Sequence, residues 1–150
     1  MFAFVFPGQG SQLKGMGESI LNHYPETNDT LDKISNFSSI DIRKLCIEDP
    51  DFNLKESVHS ALAVFSISAL ILEILKNNSI QPYAYAGYSV GYYSALYASG
   101  YIPLKTTCEM LVFRANLLKK SAKENPSGMI GVIGLDKKKI IGIIKNFNQV

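Results

Sequence analysis

Short hydrophobic runs alternate along this chain with longer segments in which hydrophobic positions recur at helical spacing. The first run extends from Met1 to Phe6 and ends at the turn residues Pro7 and Gly8. Two further runs, Tyr83 to Ala86 and Met129 to Leu135, have a similar length. A short apolar run between turn residues is typical of a buried strand, so the pattern predicts three strands.

The segments between these runs predict helices, because their apolar or small residues recur on one face or fill all faces. Asp41, Ser57 and Asp136 are the predicted N-caps, since a short polar side chain accepts a hydrogen bond from a first-turn N–H. The predicted helices cover about residues 16–24, 26–37, 42–47, 57–76, 92–99, 103–122 and 137–147. Strands that alternate with helices indicate an α/β fold with a parallel sheet.

The longest apolar stretch, from Val58 to Leu75, predicts a buried core helix. It is interrupted by the polar residues His59, Ser60, Ser66, Ser68 and Glu73. A membrane-spanning helix needs about 20 predominantly apolar residues, so no membrane association is expected. The N-terminal run has no basic residues before it, unlike a secretory signal. Together with two unpaired cysteines, Cys46 and Cys108, this favours a cytoplasmic location.

Composition narrows the classes of function. The chain has 150 residues, the usual size of one domain, and 47% of them are hydrophobic. A net charge of +2 provides no broad basic surface, so nucleic-acid binding is not expected. Two cysteines form neither a disulfide framework nor a four-ligand zinc site, and two histidines leave little room for metal chemistry. No metal site is therefore expected.

Positive charge is concentrated near the C-terminal end of the chain. Residues 119–150 carry seven lysines against two acidic residues. Such a run is most often a set of solvated helix faces, and a basic rim that meets an anionic substrate or partner is the alternative.

The segment Gly87-Tyr88-Ser89-Val90-Gly91 has the G-x-S-x-G spacing of a nucleophile elbow and lies between a predicted strand and a predicted helix. In such a turn the serine hydroxyl projects from the sheet, and small residues are needed where the strand and helix backbones pass closely. Ser89 is therefore the candidate nucleophile. A turn that needs small residues only for packing is the alternative.

A second loop complements this serine. Gly8-Gln9-Gly10 follows the first predicted strand and can bring a backbone N–H beside that of Val90. Two such donors at a helix N-terminus form an oxyanion hole for acyl transfer. The alternative is a glycine-rich turn without a catalytic role.

Arg114 lies in the middle of a predicted helix among apolar neighbours. The residues at helical spacing on its face are Met110, Leu111, Leu117 and Leu118. A guanidinium on an apolar face needs an anion or a route to water, because it cannot be neutralised. A substrate carboxylate would satisfy it bidentately, whereas pairing with a protein acid or reaching solvent are the alternatives.

Three motifs, in this order, resemble the malonyl-CoA:acyl carrier protein transacylase family, the acyltransferases of fatty acid and polyketide synthesis. They are Phe4 to Gln12 with Gly15-Met16-Gly17, then Gly87 to Leu96, then Arg114. The stretch from Ile42 to Pro50 is similar to stand-alone members that serve polyketide synthases.

The resemblance implies a ping-pong reaction that needs no bound cofactor. Ser89 attacks the thioester of malonyl-CoA, and the phosphopantetheine thiol of an acyl carrier protein then accepts the malonyl group. The backbone N–H groups of Gln9 and Val90 form the oxyanion hole, and Arg114 binds the free carboxylate of malonyl.

The resemblance also implies a hydrolase-like α/β subdomain over residues 1–126, followed by the start of a small ferredoxin-like α+β subdomain over residues 127–150. On this interpretation the chain is the N-terminal part of the family fold, truncated within the small subdomain. The catalytic histidine of the family lies beyond residue 150.

The chain departs from the family pattern beside the candidate nucleophile. The family usually has histidine before the serine and glutamate after the second glycine, where this chain has Tyr88 and Tyr92. A family glutamine before the long helix falls at about His59. These three residues are possible pocket residues that bear on acyl selectivity, and a capping or packing role is the alternative for His59.

Two other functions are kept open. An acyl hydrolase that releases acyl groups from carrier proteins would use the same serine, but it would not need Arg114 as a carboxylate clamp. A non-catalytic docking module is the other alternative, because a serine nucleophile needs a base and neither His23 nor His59 matches the position of the catalytic histidine.

Overall fold

A computed structural model describes residues 1–126 and 131–147 of the chain. Within them two strands, β1 (Ala3–Phe6) and β2 (Ala84–Gly87), pair in parallel. The register places Ala3 beside Ala84 and Phe6 beside Gly87. The first two predicted strands and the parallel α/β arrangement are confirmed. Their predicted burial is wrong, because each strand has one neighbour in the described two-stranded sheet and Phe6 is the one residue of the two strands that is buried.

Seven α-helices follow in the described residues, close to the predicted segments. They are α1 (Glu18–His23), α2 (Asn28–Ser38), α3 (Ile42–Ile47), α4 (Ser57–Asn77), α5 (Gly91–Ala98), α6 (Leu104–Glu124) and α7 (Lys137–Phe147). Two 3-10 turns, Pro25–Thr27 and Pro50–Lys55, lead into α2 and α4.

The core is built around α4, which contacts α2, α3, α5 and α6. Leu62, Phe65 and Leu70 on α4 are fully buried, and they pack in one cluster with Ile34 of α2 and Leu111 of α6. A smaller cluster joins Phe6 of β1 to α4 and α5. Burial of large aliphatic and aromatic side chains on all sides of α4 is the main source of stability here, at about 1.5–3 kcal/mol for each.

The apolarity of α4 is explained by this packing. By length and composition alone α4 could cross a membrane, since an 18-residue window of it has a mean hydropathy of 2.0. However, 61% of that window is buried inside the fold. The prediction of a buried core helix is therefore confirmed for Ser57–Asn77.

Two of the three predicted N-caps are present. The Asp41 side chain accepts a hydrogen bond of 2.9 Å from the backbone N–H three residues later, at the start of α3. The Asp136 side chain accepts one of 2.6 Å from the N–H two residues later, at the start of α7.

The prediction that Ser57 caps α4 is wrong. Glu56 occupies the N-cap position with extended backbone, its side chain makes no cap hydrogen bond, and Ser57 is the first helical residue. The cause is the preceding 3-10 turn, because Asn53 accepts from the Glu56 N–H at 2.9 Å and so fixes where the turn ends.

The third predicted strand, Met129 to Leu135, is not found among the residues of that range that the structure describes. Residues 131–135 form no strand, and positions 129 and 130 lie outside the described residues. Ile133 is 97% exposed, and the sheet of the described residues contains β1 and β2 alone. A strand needs a neighbour for its backbone N–H and C=O groups. The division at residues 126 and 127 into two subdomains stays a prediction.

Two glycines allow the backbones of β1, β2 and α5 to meet. A Cβ on Gly91 would lie 2.4 Å from the carbonyl oxygen of Phe6 and 2.5 Å from that of Pro7. A Cβ on Gly87 would lie 2.1 Å from the carbonyl oxygen of Gly91. No side chain fits at either place, so these glycines fix the position of α5 against the sheet.

We expect Gly91→Ala to lower the free energy of unfolding by about 1–3 kcal/mol or more, because the new methyl group would overlap backbone atoms that cannot move aside. Urea denaturation measures this change. Gly142→Ala in α7 is the matched control, since nothing lies within 4 Å of its Cβ position and alanine favours helix. Equal stability of the two variants would contradict the close packing.

Candidate active site

Ser89 occupies a strained turn between β2 and α5. Its φ of 52° lies in the left-handed region that residues other than glycine rarely adopt. The turn is closed by a hydrogen bond of 2.9 Å from the Gly91 N–H to the Tyr88 carbonyl. The Tyr88 N–H donates to Phe6 at 3.0 Å, which ties the turn to β1. Ser89 is exposed, as the spacing of the G-x-S-x-G motif predicts.

The loop after β1 lies directly against this turn. A Cβ on Gly8 would lie 2.8 Å from the carbonyl oxygen of Tyr88 and 3.4 Å from Cβ of Ser89. In residues 1–126 and 131–147, neither the backbone N–H of Gln9 nor that of Val90 donates a hydrogen bond. The turn and the loop thus leave two free donors in the segments that adjoin Ser89, where α5 also begins. Unsatisfied N–H groups at a helix N-terminus favour negative charge.

Side chains of the loop fix its shape. Ser11 donates from Oγ to the Gly8 carbonyl at 2.8 Å, and the Gly10 N–H donates to Oε1 of Gln12 at 2.7 Å. Gln12 also donates from Nε2 to Leu54 at 3.3 Å, which connects the loop to the turn before α4. Gln12 was not predicted as a site residue, although polar side chains next to glycines are a known signal for such local bonds.

Arg114 lies on α6 at the wall of an open pocket of about 470 Å³. The pocket is otherwise lined by Tyr93, Met110, Phe113, Leu117, Leu118 and Ser121. Nη1 of Arg114 is buried and has no hydrogen-bond partner within the described residues. An unpaired guanidinium nitrogen in apolar surroundings is costly unless an anion reaches it. The apolar neighbourhood predicted from helical spacing is therefore present.

Tyr93 connects the two parts of the site. It lies in the first turn of α5, where its N–H donates to Val90 at 3.1 Å, and its side chain lines the pocket of Arg114. Helices α5 and α6 are in contact. Tyr93 of α5 is thus the residue that the serine turn and the arginine pocket share.

Tyr88 and Tyr92 flank Ser89 at the surface. Their side chains are 75% and 57% exposed, and the Tyr92 ring lies 6.4 Å from that of Tyr93 in an edge-on arrangement. Exposed aromatic rings beside a nucleophile can contact an acyl or pantetheine chain. Their predicted role as pocket residues stays a prediction.

Neither histidine is hydrogen-bonded to Ser89 in the described part of the chain. Nδ1 of His59 lies 3.2 Å from the carbonyl oxygen of Asn53, and Nδ1 of His23 lies 2.8 Å from that of Ser19. His59 thus joins the first turn of α4 to the turn before it, as the packing alternative expects. The described residues also contain no group of three or more His, Cys, Asp or Glu that could hold a metal ion.

The two thiols are core groups. Cys46 and Cys108 are 2% and 0% exposed, and burial raises the pKa of each thiol to about 12. A thiol with such a pKa is a poor nucleophile at neutral pH. Both observations identify Cys46 and Cys108 as packing residues of the core.

Comparisons with known proteins show the family to which the chain is similar. Residues 3–146 match the family described as acyl transferase domain. The chain is 31% identical over 149 residues to the polyketide biosynthesis malonyl CoA-acyl carrier protein transacylase PksC of Bacillus subtilis, covering 99% of this chain and 50% of that protein. It is 31% identical over 150 residues to the malonyl CoA-acyl carrier protein transacylase of Haemophilus influenzae, covering 99% of this chain and 48% of that one.

Solved structures show the same fold. The acyl-carrier-protein S-malonyltransferase of Bartonella henselae superposes with a TM-score of 0.81 at 27% identity, covering 97% of this chain and 48% of that one. A malonyl-transacylase in complex with its type II polyketide synthase acyl-carrier protein superposes with a TM-score of 0.76 at 30% identity, covering 80% of this chain and 39% of that one. The chain spans about half the length of the curated transacylases named above.

We expect neither cysteine to react with a disulfide reagent at pH 8 in the folded protein, because at a pKa of about 12 the thiolate is about one part in 10⁴. The thiolate fraction rises with pH, but burial still blocks access until the protein unfolds. Absorbance of the released thiol measures this, and labelling in urea is the control. Rapid labelling of the native protein would contradict the burial of both groups.

Proposed function

The chain belongs to the acyl transferase domain family, and we propose that it carries the nucleophile and the anion-binding groups of a malonyl-type acyltransferase. The donor is malonyl-CoA, and the acceptor is the phosphopantetheine thiol of an acyl carrier protein. The observation that carries the proposal is the pairing of an exposed serine on a strained turn with a buried, unpartnered guanidinium nitrogen in an adjoining pocket.

The first half-reaction forms an ester on Ser89. Its Oγ attacks the thioester carbonyl, the C–O bond forms, and the C–S bond then breaks. The proton from the serine hydroxyl goes through a base to the departing CoA thiolate. The N–H groups of Gln9 and Val90 donate to the oxyanion of the tetrahedral intermediate, and the N-terminus of α5 adds partial positive charge.

The second half-reaction reverses these bonds on the carrier thiol. The pantetheine sulfur loses its proton to the base and attacks the ester carbonyl, and Ser89 leaves with that proton. In this proposal the base is neither His23 nor His59, because their Nδ1 atoms lie against backbone carbonyls and neither ring is hydrogen-bonded to Ser89 within the described residues.

Arg114 favours an acyl group that carries a free carboxylate, such as malonyl, over one that has none, such as acetyl. A malonyl carboxylate would satisfy the unpartnered Nη1 with a charge-assisted hydrogen bond, whereas an acetyl group would leave it unpaired. A hydrolase for monocarboxylic acyl chains has no use for such a group, so Arg114 favours transfer of a malonyl-type unit.

The exposed lysines fit anionic partners. Lys119, Lys120, Lys137, Lys138 and Lys139 are exposed on α6 and α7. Carrier proteins are acidic and CoA carries phosphates, so these lysines would attract both by long-range charge. We place the reaction in the cytoplasm, where soluble CoA thioesters are available.

We expect the protein, incubated with malonyl-CoA, to gain the mass of one malonyl group on Ser89 and to pass it to phosphopantetheinylated carrier protein. Intact-mass spectrometry of both proteins measures this. Ser89→Ala is expected to remove the acylation without unfolding the protein. Free malonate without a loaded carrier would indicate a hydrolase instead. If the folded protein is not acylated, the acyltransferase proposal fails in favour of the non-catalytic docking module.

We expect Arg114→Gln to lower kcat/KM for malonyl-CoA by about 10- to 100-fold, since it removes a charge-assisted hydrogen bond. Activity with acetyl-CoA should not fall. Arg43→Gln is the matched control, because Arg43 is exposed on α3 and donates only to Asn28 among the described residues. An equal loss with both acyl donors would contradict the carboxylate role.

A further inference from the structure

Ser60 forms a long-range contact with the loop that follows β1. Nε2 of Gln9 donates to Oγ of Ser60 at 2.9 Å, across 51 positions of the sequence. Ser60 lies in the first turn of α4 and is fully buried, whereas Gln9 is exposed. A side chain from the loop thus reaches the central helix of the core at one fixed point.

The Ser60 hydroxyl donates one hydrogen bond and accepts another. It donates to the carbonyl oxygen of Ser57 at 3.2 Å, which leaves its lone pairs free to accept from Gln9. Ser66 and Ser68 on the same helix also donate to backbone carbonyls of α4, but neither has a further partner in the described residues. Ser60 is therefore the serine of α4 that connects this helix to another segment.

The neighbouring histidine does not make this contact. Nδ1 of His59 faces the carbonyl oxygen of Asn53, in the turn before α4. The first turn of α4 thus uses one residue to join the preceding turn and the next residue to hold Gln9.

We propose that Ser60 is a positioning residue that acts through Gln9 and fixes the backbone N–H of Gln9 where the oxyanion develops. This inference rests on the proposed acyltransferase function. Donors of an oxyanion hole must be held within about 0.5 Å of their working position. The Gly8 and Gly10 that flank Gln9 permit many backbone conformations, so a side-chain bond to the rigid α4 removes freedom that the loop would otherwise have.

The kinetic test compares Ser60→Ala with Ser66→Ala. Ser66 is an equally buried serine on the same helix, so its variant loses a hydroxyl in the core without releasing the loop. For Ser60→Ala we expect kcat for acylation of Ser89 to fall about 10-fold with KM unchanged, which is less than the about 10²–10³-fold loss on removing a donor outright. Ser66→Ala should keep kcat. Equal kcat in the two variants would overturn the proposal.

Gln9→Ala provides a second variant if Ser60→Ala does not fold. It breaks the same hydrogen bond from the exposed side and keeps the backbone N–H. The double variant Gln9→Ala with Ser60→Ala should lose no more kcat than either single variant, because both remove one interaction. Additive losses would show that the two side chains act separately and would overturn the proposal.

A measurement without substrate separates this inference from the proposed function. In amide-detected NMR of the unliganded protein, Ser60→Ala should shift the Nε2 resonance of Gln9 and lower the backbone order parameter of Gln9, and Ser66→Ala should change neither. If these changes appear in a protein that is never acylated, the positioning of Gln9 by Ser60 is supported and the acyltransferase proposal fails. If the Nε2 resonance and the backbone order parameter of Gln9 are unchanged in Ser60→Ala, the positioning of Gln9 by Ser60 is overturned, whether or not the protein is acylated.

Discussion

The carbonyl oxygen of Phe6 lies 2.4 Å from the place that a Cβ on Gly91 would occupy, so β1 meets the first turn of α5 with no side chain between them. Gly87 makes the same contact possible from β2. Because the backbone of β2 at Gly87 lies against that of α5 at Gly91, the short segment between these two residues must reverse direction. Ser89 lies in that reversal, and the approach accounts for its left-handed backbone and its exposed hydroxyl.

The rest of the candidate site depends on the same approach. The loop after β1 passes the serine turn at Gly8, and Gln9 is the next residue of that loop. The first turn of α5 brings Tyr93 to the pocket of Arg114 on α6. The central helix α4 supports both parts, since it packs against α5 and α6 and holds Gln9 through Ser60. The site is thus a set of loops and helix starts on a rigid buried helix.

Where sequence reasoning failed, the outcome depended on another segment of the chain. Ser57 has the right chemistry for an N-cap, but the 3-10 turn before it moves the cap to Glu56. Residues 131–135 have the composition of a strand, but no strand of the described residues pairs with them. Ser60 is one of several serines in an apolar helix, and no local signal sets it apart from Ser66.

Local sequence patterns were enough to predict the order of the first two strands and of the helices, the serine turn, the Asp41 and Asp136 caps and the apolar face around Arg114. These features depend on residues within one or two turns of each other, so local spacing is enough to predict them. Tertiary structure alone decided that Ser60 holds Gln9, that His59 faces Asn53, and that Nη1 of Arg114 has no partner in the described residues. Such facts depend on which distant groups come within hydrogen-bond distance, and only the packing of the folded chain sets those distances.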